Sequence, residues 1–335
     1  MRNTLRPALF ALSLLPALAQ AELYITIVQG LGGTDQYEAE FTEQRQAVHK
    51  AALGVADEDR VGLFHGEAAT REALLAHFEA LTRRMKEDDR LALYLIGHGS
   101  FDGETYKFNI PGLDISGTDI KDLLEKLPGS NHVVVNTSST SGAMIEAVTG
   151  VPAPRGTQAA GSEATDVNEE DIGYILVAAT RNGNERNATH FGRYFAEALG
   201  SEAADLNKNN NISVQEAFDY AQRMVETWFE ESGRLATEHA QLRGAGASRF
   251  SLARLDAQAL QAAGNSLLEE LLKQRLELDE QIEELQLRRS QYSNAEYLER
   301  LQTLVLQSAE LSERIEAEQA RAGTGAAAAS GSEPR

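Results

Sequence analysis

Short apolar runs alternate with stretches of helical periodicity through the first two thirds of the chain. The runs are rich in β-branched and aromatic residues, which is typical of strands covered on both faces. They occupy residues 23–29, 61–64, 91–96, 132–135 and 174–179. Apolar positions at helical spacing lie between them, over about 36–53, 69–85 and 118–127. This order predicts an α/β fold with a mostly parallel sheet and helices on both faces.

Candidate chemistry follows two of these strands, at the carboxyl ends where open α/β sheets place their sites. His98 follows the strand at 91–96 and lies between two glycines, which leave the Gly99 amide free to donate. The strand at 132–135 runs into a turn of small residues, 136–142, that presents hydroxyl and N–H groups at one point. We predict that His98 and this Ser/Thr cluster face each other as a base beside a nucleophile. A structural histidine and a helix N-cap are the alternatives.

The order of these features resembles the caspase–legumain superfamily, the clan of hemoglobinase-type cysteine peptidases. The resemblance rests on an apolar strand, Gly97-His98-Gly99, about forty residues, a second apolar strand and a turn ending in Ser141-Gly142. It extends over most of residues 22–230. Residues 30–33 (GLGG) and 178–187 (AATRNGNERN) are similar to the bacterial secreted legumain-like branch.

The resemblance implies a caspase-hemoglobinase-like sheet in which His98 is the catalytic histidine and Gly99 the oxyanion donor. It also puts Ser139 at the position of the family's nucleophilic cysteine and Thr137 at that of an acidic residue. The chain contains no cysteine at all. A thiol with a pKa of ~8.5 is partly ionised at neutral pH, whereas a serine must lose its proton to a base in contact as it attacks.

This replacement leads us to expect a catalytically impaired pseudopeptidase that acts by binding a peptide or protein ligand. The alternative is an active serine-type endopeptidase with Ser139 as nucleophile, His98 as base and the amides of Gly99 and Ser139 as oxyanion donors. Ser138 and Ser141 are neighbouring candidates for the nucleophile.

A second candidate site lies in residues 205–216, which fit the calcium loop of an EF-hand position by position. Asn210 stands where the pattern has glycine, and asparagine tolerates the left-handed conformation better than most residues. Only two ligands are carboxylates, so we expect weak, structural calcium binding, toward ~10⁻⁴–10⁻³ M. An Asn-rich capping loop without an ion is the alternative. The predicted calcium ligands are Asp205, Asn207, Asn209, Asn211, Ser213 and Glu216.

The last quarter of the chain, from about residue 265, changes to leucine-rich helical periodicity. Ser293 and Glu296 form a capping box, which predicts that a second helix starts there. We predict an antiparallel hairpin or coiled coil over 265–320, after an α/β domain at 22–255, and a disordered tail over 321–335. The apolar stripe of the hairpin packs on the α/β domain, joins a homo-oligomer or meets a separate partner. A calcium-stabilised assembly module is therefore a third candidate function.

Composition excludes several other functions. The chain has 335 residues, with 51 acidic against 31 basic side chains and a net charge of −20, so no global positive field attracts nucleic acid. The lack of cysteine excludes disulfides, thiolate metal sites and iron–sulfur clusters. The sequence also lacks the glycine spacing of a dinucleotide site, a Walker lysine, a G-x-S-x-G elbow and a His-Glu-x-x-His zinc motif.

The first 21 residues have the pattern of a cleaved signal peptide. Two arginines precede a short apolar run, and the Ala-Gln-Ala sequence that ends at Ala21 is typical of a signal peptidase site. A buried N-terminal helix is the alternative. We therefore predict a mature chain from Glu22 that is periplasmic or secreted. No later stretch is long and apolar enough to span a membrane.

Overall fold

The computed structural model describes residues 21–129, 132–151, 169, 172–255, 266–287, 289 and 292–329. The predicted signal peptide lies outside the described residues, apart from Ala21. The described strands are β1 Leu23–Gln29, β2 Val61–Phe64, β3 Arg90–Ile96, β4 Gly99–Phe101, β5 Tyr106–Phe108, β6 Ile115–Ser116, β7 His132–Asn136, β8 Tyr174–Ala178, β9 Asn211–Ser213, β10 Gln241–Arg243 and β11 Ser251–Arg254.

Eight α-helices accompany these strands in the described residues. They are α1 Asp35–Ala52, α2 Arg71–Arg84, α3 Gly117–Lys126, α4 Gly142–Thr149, α5 Phe191–Ala198, α6 Val214–Ser232, α7 Ser266–Leu287 and α8 Asn294–Ala329. Within the part of the chain that the structure describes, no helix has both the length and the apolarity needed to cross a bilayer.

A six-stranded sheet forms the centre of the molecule and confirms the predicted α/β class. Its order is β10-β8-β7-β3-β1-β2, and all neighbours are parallel except β10, which runs antiparallel to β8. The chain moves from β1 to one side for β2 and to the other side for β3. The crevice beyond the carboxyl ends of β1 and β3 is therefore the switch point of the sheet, where ligands bind in open α/β folds.

Helices cover both faces of this sheet, because the side chains of each strand alternate between two cores. Leu23, Ile25 and Ile27 of β1 belong to the core under α1, α5 and α6. Tyr24 and Val28 belong to the core under α2, α3 and α4.

The C-terminal helices α7 and α8 pack against each other along leucine and isoleucine side chains. Leu268, Leu271, Leu272, Leu311 and Ile315 form their shared core. The capping box at the start of α8 is present, because the Ser293 hydroxyl donates to Glu296 at 2.7 Å and accepts the Glu296 N–H at 3.3 Å.

The prediction of a disordered tail over 321–335 is wrong for its first part. Helix α8 continues from Arg321 through Ala329. The stretch is rich in alanine, the strongest helix former, and it propagates a helix that already exists. Residues 330–335 lie outside the described part of the chain.

Candidate functional site

The carboxyl ends of β3 and β7 bring Gly99 and Ser139 into direct contact. The two strands are parallel neighbours, with Leu95 opposite Asn136. The Ser139 hydroxyl donates to the Gly99 carbonyl oxygen at 3.0 Å, and the Gly99 N–H points at the same hydroxyl oxygen at 3.4 Å. A Cβ atom at Gly99 would collide with the carbonyl oxygen of Ser139, so only glycine fits this contact.

The His98 ring is held on its other side by the segment that follows β1. Its Nε2 atom lies 3.2 Å from the Gly32 carbonyl oxygen, which only accepts, so Nε2 carries the proton in this contact. The rings of Tyr37 and Phe41 meet the imidazole edge-on at centroid distances of 4.8 and 5.0 Å. Among the hydrogen bonds of the described residues, none joins His98 to Ser139. The histidine and the serine therefore bond to different backbone carbonyls.

The turn after Ser139 contains a strained residue. Thr140 has a φ of 58°, in the left-handed region that β-branched residues rarely adopt. Its N–H donates to the Glu185 carbonyl oxygen at 2.9 Å, while its Oγ1 atom is buried without a hydrogen-bond partner in the described structure. Strain of this kind costs about 1–3 kcal/mol and concentrates at functional sites.

A buried network holds the turn from beneath. The Asn136 amide donates to the Tyr106 hydroxyl at 2.7 Å, and the Tyr106 hydroxyl lies 2.8 Å from the Ser138 hydroxyl. The Ser138 hydroxyl in turn donates to the Asn136 side-chain oxygen at 2.8 Å. Burial raises the pKa of Tyr106 to about 12, so its hydroxyl stays protonated at physiological pH. The Ser138 hydroxyl is buried and hydrogen-bonded within this network, so it is not available as a nucleophile.

Ser141, the other neighbouring candidate, is also engaged. Its hydroxyl lies 3.3 Å from the Thr180 hydroxyl and accepts the Thr180 N–H at 3.2 Å. The side chain is completely buried. Of the three serines in the turn, Ser139 is the one whose hydroxyl is hydrogen-bonded to Gly99, the residue that follows His98.

The segments after β8 and before β10 form a second wall beside the turn. Glu185 accepts the Arg181 N–H at 2.8 Å and bonds the His239 ring at 2.6 Å, which ties the two segments together. The Glu238 carboxylate accepts the N–H groups of His190 and Phe191 at 2.8 and 3.3 Å, at the start of α5.

The pKa of Glu238 is raised to about 7. Burial is the main cause, nearby Glu185 adds to it, and the two N–H donors act in the opposite direction. This carboxyl therefore changes its charge near physiological pH.

The predicted calcium loop adopts a turn that matches its sequence pattern. Asn210 has a φ of 61°, as required of the residue at this position, and Lys208 has a φ of 60°. The Asp205 carboxylate accepts the N–H groups of Asn209 and Asn210 at 3.1 and 2.9 Å, which folds the loop around it.

Glu216 closes the same loop from its other end. One carboxylate oxygen accepts the N–H groups of Leu206 and Asn207 at 3.2 and 3.4 Å, and the other accepts from the Ser213 N–H and hydroxyl at 3.0 and 2.8 Å. Asp205 and Glu216 are both buried. The described residues hold no cluster of three or more His, Cys, Asp or Glu side chains arranged for a metal. The loop thus offers two carboxylates with amide and hydroxyl oxygens, a donor set that suits a hard cation such as calcium.

Several site residues were not identified from the sequence. Tyr106 lies on β5, a strand too short to show a period of two. The pairing of Glu185 with His239 joins segments more than fifty residues apart, which no local pattern indicates. Tyr37 and Phe41 had a detectable feature, since aromatic residues at i and i+4 lie on the same face of a helix.

Comparisons with known proteins find similarity to solved structures and to no family model or curated protein. No protein-family model matches the sequence, and no curated protein matches it. A solved structure of a Geobacter sulfurreducens protein from structural genomics is similar over 67% of this chain and 94% of that chain, with 13% identity and a TM-score of 0.41. Caspase-1 from Spodoptera frugiperda is similar over 67% of this chain and 86% of that chain, with 8% identity and a TM-score of 0.35. Neither identity assigns the chain to a family.

Proposed function

We propose that the protein is a caspase/legumain-like pseudopeptidase that binds a peptide or protein segment without hydrolysing it. The binding cleft is the crevice beyond the carboxyl ends of β1, β3 and β7, lined by Gly32, His98 and Ser139. Two features support this location: the switch in strand order at β1 and β3, and the strained Thr140 beside Ser139.

The hydrogen bond from Ser139 to the Gly99 carbonyl carries the proposal. A serine nucleophile needs a base ~2.6–3.2 Å from its hydroxyl to take the proton as it attacks. Here the Ser139 hydroxyl donates a hydrogen bond to the Gly99 carbonyl, and the Nε2 atom of His98 donates one to the Gly32 carbonyl. Two aromatic rings hold the imidazole in place. This arrangement supports binding without proton transfer.

Replacing Ser139 with cysteine provides the test of the proposed cleft. A thiol in place of the hydroxyl reacts with peptidyl electrophiles such as peptidyl acyloxymethyl ketones, since a cysteine is nucleophilic without a base in contact. We expect Ser139→Cys to be labelled at rates that depend on the peptide sequence, as followed by intact-protein mass spectrometry.

Two matched variants control this experiment. Ser138→Cys places the thiol in the buried network with Asn136 and Tyr106, and Ser100→Cys places it on exposed β4. Neither should show dependence on the peptide sequence. If Ser139→Cys reacts with every peptidyl acyloxymethyl ketone at the rate of an acyloxymethyl ketone that carries no peptide, the chain has no peptide cleft at this position.

A serine-type endopeptidase is the second candidate, and one contact favours it. The Gly99 N–H lies 3.4 Å from the Ser139 hydroxyl oxygen, so a backbone donor is present beside the proposed nucleophile. In this alternative Ser139 attacks the peptide carbonyl, His98 takes the hydroxyl proton and returns it to the leaving amine, and the amides of Gly99 and Ser139 stabilise the oxyanion. The His98 ring would first have to turn from Gly32 toward Ser139.

Calcium binding and assembly form the third candidate. The left-handed Asn210 and the two buried carboxylates support weak calcium binding by the ligands Asp205, Asn207, Asn209, Asn211, Ser213 and Glu216. Bound calcium would supply positive charge that ties the two ends of the loop together. The exposed Leu298, Val305 and Leu306 of α8 support a homo-oligomer that forms through residues 265–320. With export after Ala21, this module would act in the periplasm or outside the cell.

A further inference from the structure

A cavity of about 670 Å³ lies at the edge of the sheet opposite to His98 and Ser139. It opens beside the amino ends of β1 and β3, and its volume is in the range of small-molecule sites. Five of its lining side chains are cationic, in a chain whose net charge is −20. These are Arg60, Lys86, Arg90, Arg249 and Arg254.

Each of the four acidic side chains of the cavity (Glu22, Asp57, Glu216 and Asp279) has at least one partner, although the Asp279 Oδ2 atom is buried without one in the described structure. Arg60 lies 3.3 Å from Glu22 and 2.6 Å from Asp57, so one guanidinium engages two carboxylates. Asp279 lies 3.2 Å from Arg275 of its own helix, and the oxygens of Glu216 are taken by donors of the loop that contains it. These carboxylates are therefore engaged by groups other than Lys86, Arg90 and Arg249.

Arg90 is the most unusual of these cations. Its guanidinium lies 5.3 Å from the ring centroid of Phe250, which is itself buried, and its Nε atom is buried without a hydrogen-bond partner. Among the described residues, no carboxylate pairs with the side chains of Arg90, Lys86 or Arg249. A partly buried cation without a counter-charge is costly, and proteins normally pair such a group with an anion.

We propose that this cavity binds a small multivalent oxyanion, carrying phosphate or carboxylate groups. Arg90 and Arg249, which both line the cavity, supply planar guanidinium donors that match both chemistries, and Lys86 adds a point charge. The predicted calcium loop borders the same space through Asn207, Ser213 and Glu216, so the test below is made without metal. The site is separate from the His98 crevice, so it does not rest on the proposed peptide binding.

Isothermal titration with two probes, inorganic pyrophosphate and citrate, tests this site and separates the phosphate from the carboxylate class. The full-length mature chain is first freed of metal on a chelating resin, so that calcium in the loop plays no part. Sodium chloride at matched ionic strength provides the baseline. We expect saturable binding of at least one probe, weakened about tenfold or more by Arg249→Gln, because the variant loses a charge-assisted hydrogen bond to the oxyanion.

Two further variants sharpen the result. Lys121→Gln removes a cation of α3 that does not line the cavity, and it should bind the probe as the wild type does. Arg90→Gln removes the unpaired guanidinium, so it should abolish binding and raise the melting temperature of the probe-free chain. Binding no stronger than the chloride baseline, or equal binding by Arg249→Gln and the wild type, would overturn the proposal.

Discussion

Thr140 links local backbone strain to the candidate site. A β-branched residue at a φ of 58° is held there by its neighbours, in this case by the hydrogen bond from its N–H to Glu185 and by the commitment of Ser139 and Ser141 on either side. The strained residue thus directly follows Ser139, whose hydroxyl donates to the Gly99 carbonyl. At the scale of single residues, the acceptor of the Ser139 hydrogen bond, the Gly99 carbonyl, defines the site.

Relief of this strain should be measurable as stability. We predict that Thr140→Gly raises the free energy of unfolding by about 1 kcal/mol, because relief of about 1–3 kcal/mol exceeds the backbone entropy cost of glycine, about 0.5–1 kcal/mol. Urea denaturation of the two chains provides the measurement, and Thr149→Gly, on a regular helix, should be destabilising. A Thr140→Gly chain less stable than the wild type would show that the conformation is not strained.

The raised pKa of Glu238 predicts that the free energy of unfolding falls as the pH rises. Its pKa is about 7 in the folded chain against 4.5 as the ordinary value, so the folded chain binds the proton more tightly. The contribution of this group to stability is therefore complete below about pH 4.5 and is lost as the pH rises past 7, at no more than about 1.4 kcal/mol per pH unit.

Urea unfolding between about pH 5 and pH 8 tests this dependence. The free energy of unfolding of the wild type, minus that of Glu238→Gln, should fall as the pH rises. The same difference taken with Glu231→Gln, an exposed residue of α6, should stay flat. A flat difference for Glu238→Gln would mean that burial does not raise its pKa.

The calcium loop and α6 act together as an element, because Glu216 both closes the loop and caps the helix. We predict that millimolar calcium raises the melting temperature and that Glu216→Gln weakens the effect, since glutamine keeps the capping box but removes one of the two carboxylates. Glu226→Gln, further along the same helix, should respond to calcium as the wild type does. A wild type with no calcium response would refute the metal site.

The main elements of the fold were predictable because each has enough residues to show its period. The strand at 91–96 and the helix at 118–127 correspond to β3 and α3, within a residue or two at each end. Strands β4, β5 and β6 have three residues or fewer, and their pairing with each other, not their sequence, defines them. The alanine-rich end of α8 was predicted as disorder because composition alone does not show that an existing helix continues.

In the candidate site, too, strand positions were predictable and contacts between distant segments were not. That His98 and Ser139 lie at the same sheet edge followed from two parallel strands and the rule for carboxyl ends. Their hydrogen-bond acceptors, the carbonyl oxygens of Gly32 and Gly99, depend on side-chain and loop geometry that strand order does not determine. The walls of the site, including Glu185 and His239, depend on contacts between segments distant in sequence.

The whole molecule combines the α/β domain with a helical hairpin that exposes apolar residues. Leu298, Val305 and Leu306 lie on one side of α8 and are at least half exposed. We predict that the full chain is a homo-oligomer and that Leu298→Glu with Val305→Glu reduces it to the mass of one chain in light scattering. Leu235→Glu, an exposed residue of the α/β domain, should leave the mass unchanged. A wild type with the mass of a single chain would contradict assembly through this helix.

The central claim is that Ser139 does not act as a nucleophile. Labelling with a fluorophosphonate probe tests it most directly. Intact-protein and peptide mass spectrometry of the wild type and of His98→Ala would locate any adduct. Because the Ser139 hydroxyl donates to Gly99 and His98 donates to Gly32, we predict no adduct at Ser139 in either chain. Stoichiometric modification of Ser139 that disappears in His98→Ala would contradict the account and establish a serine hydrolase.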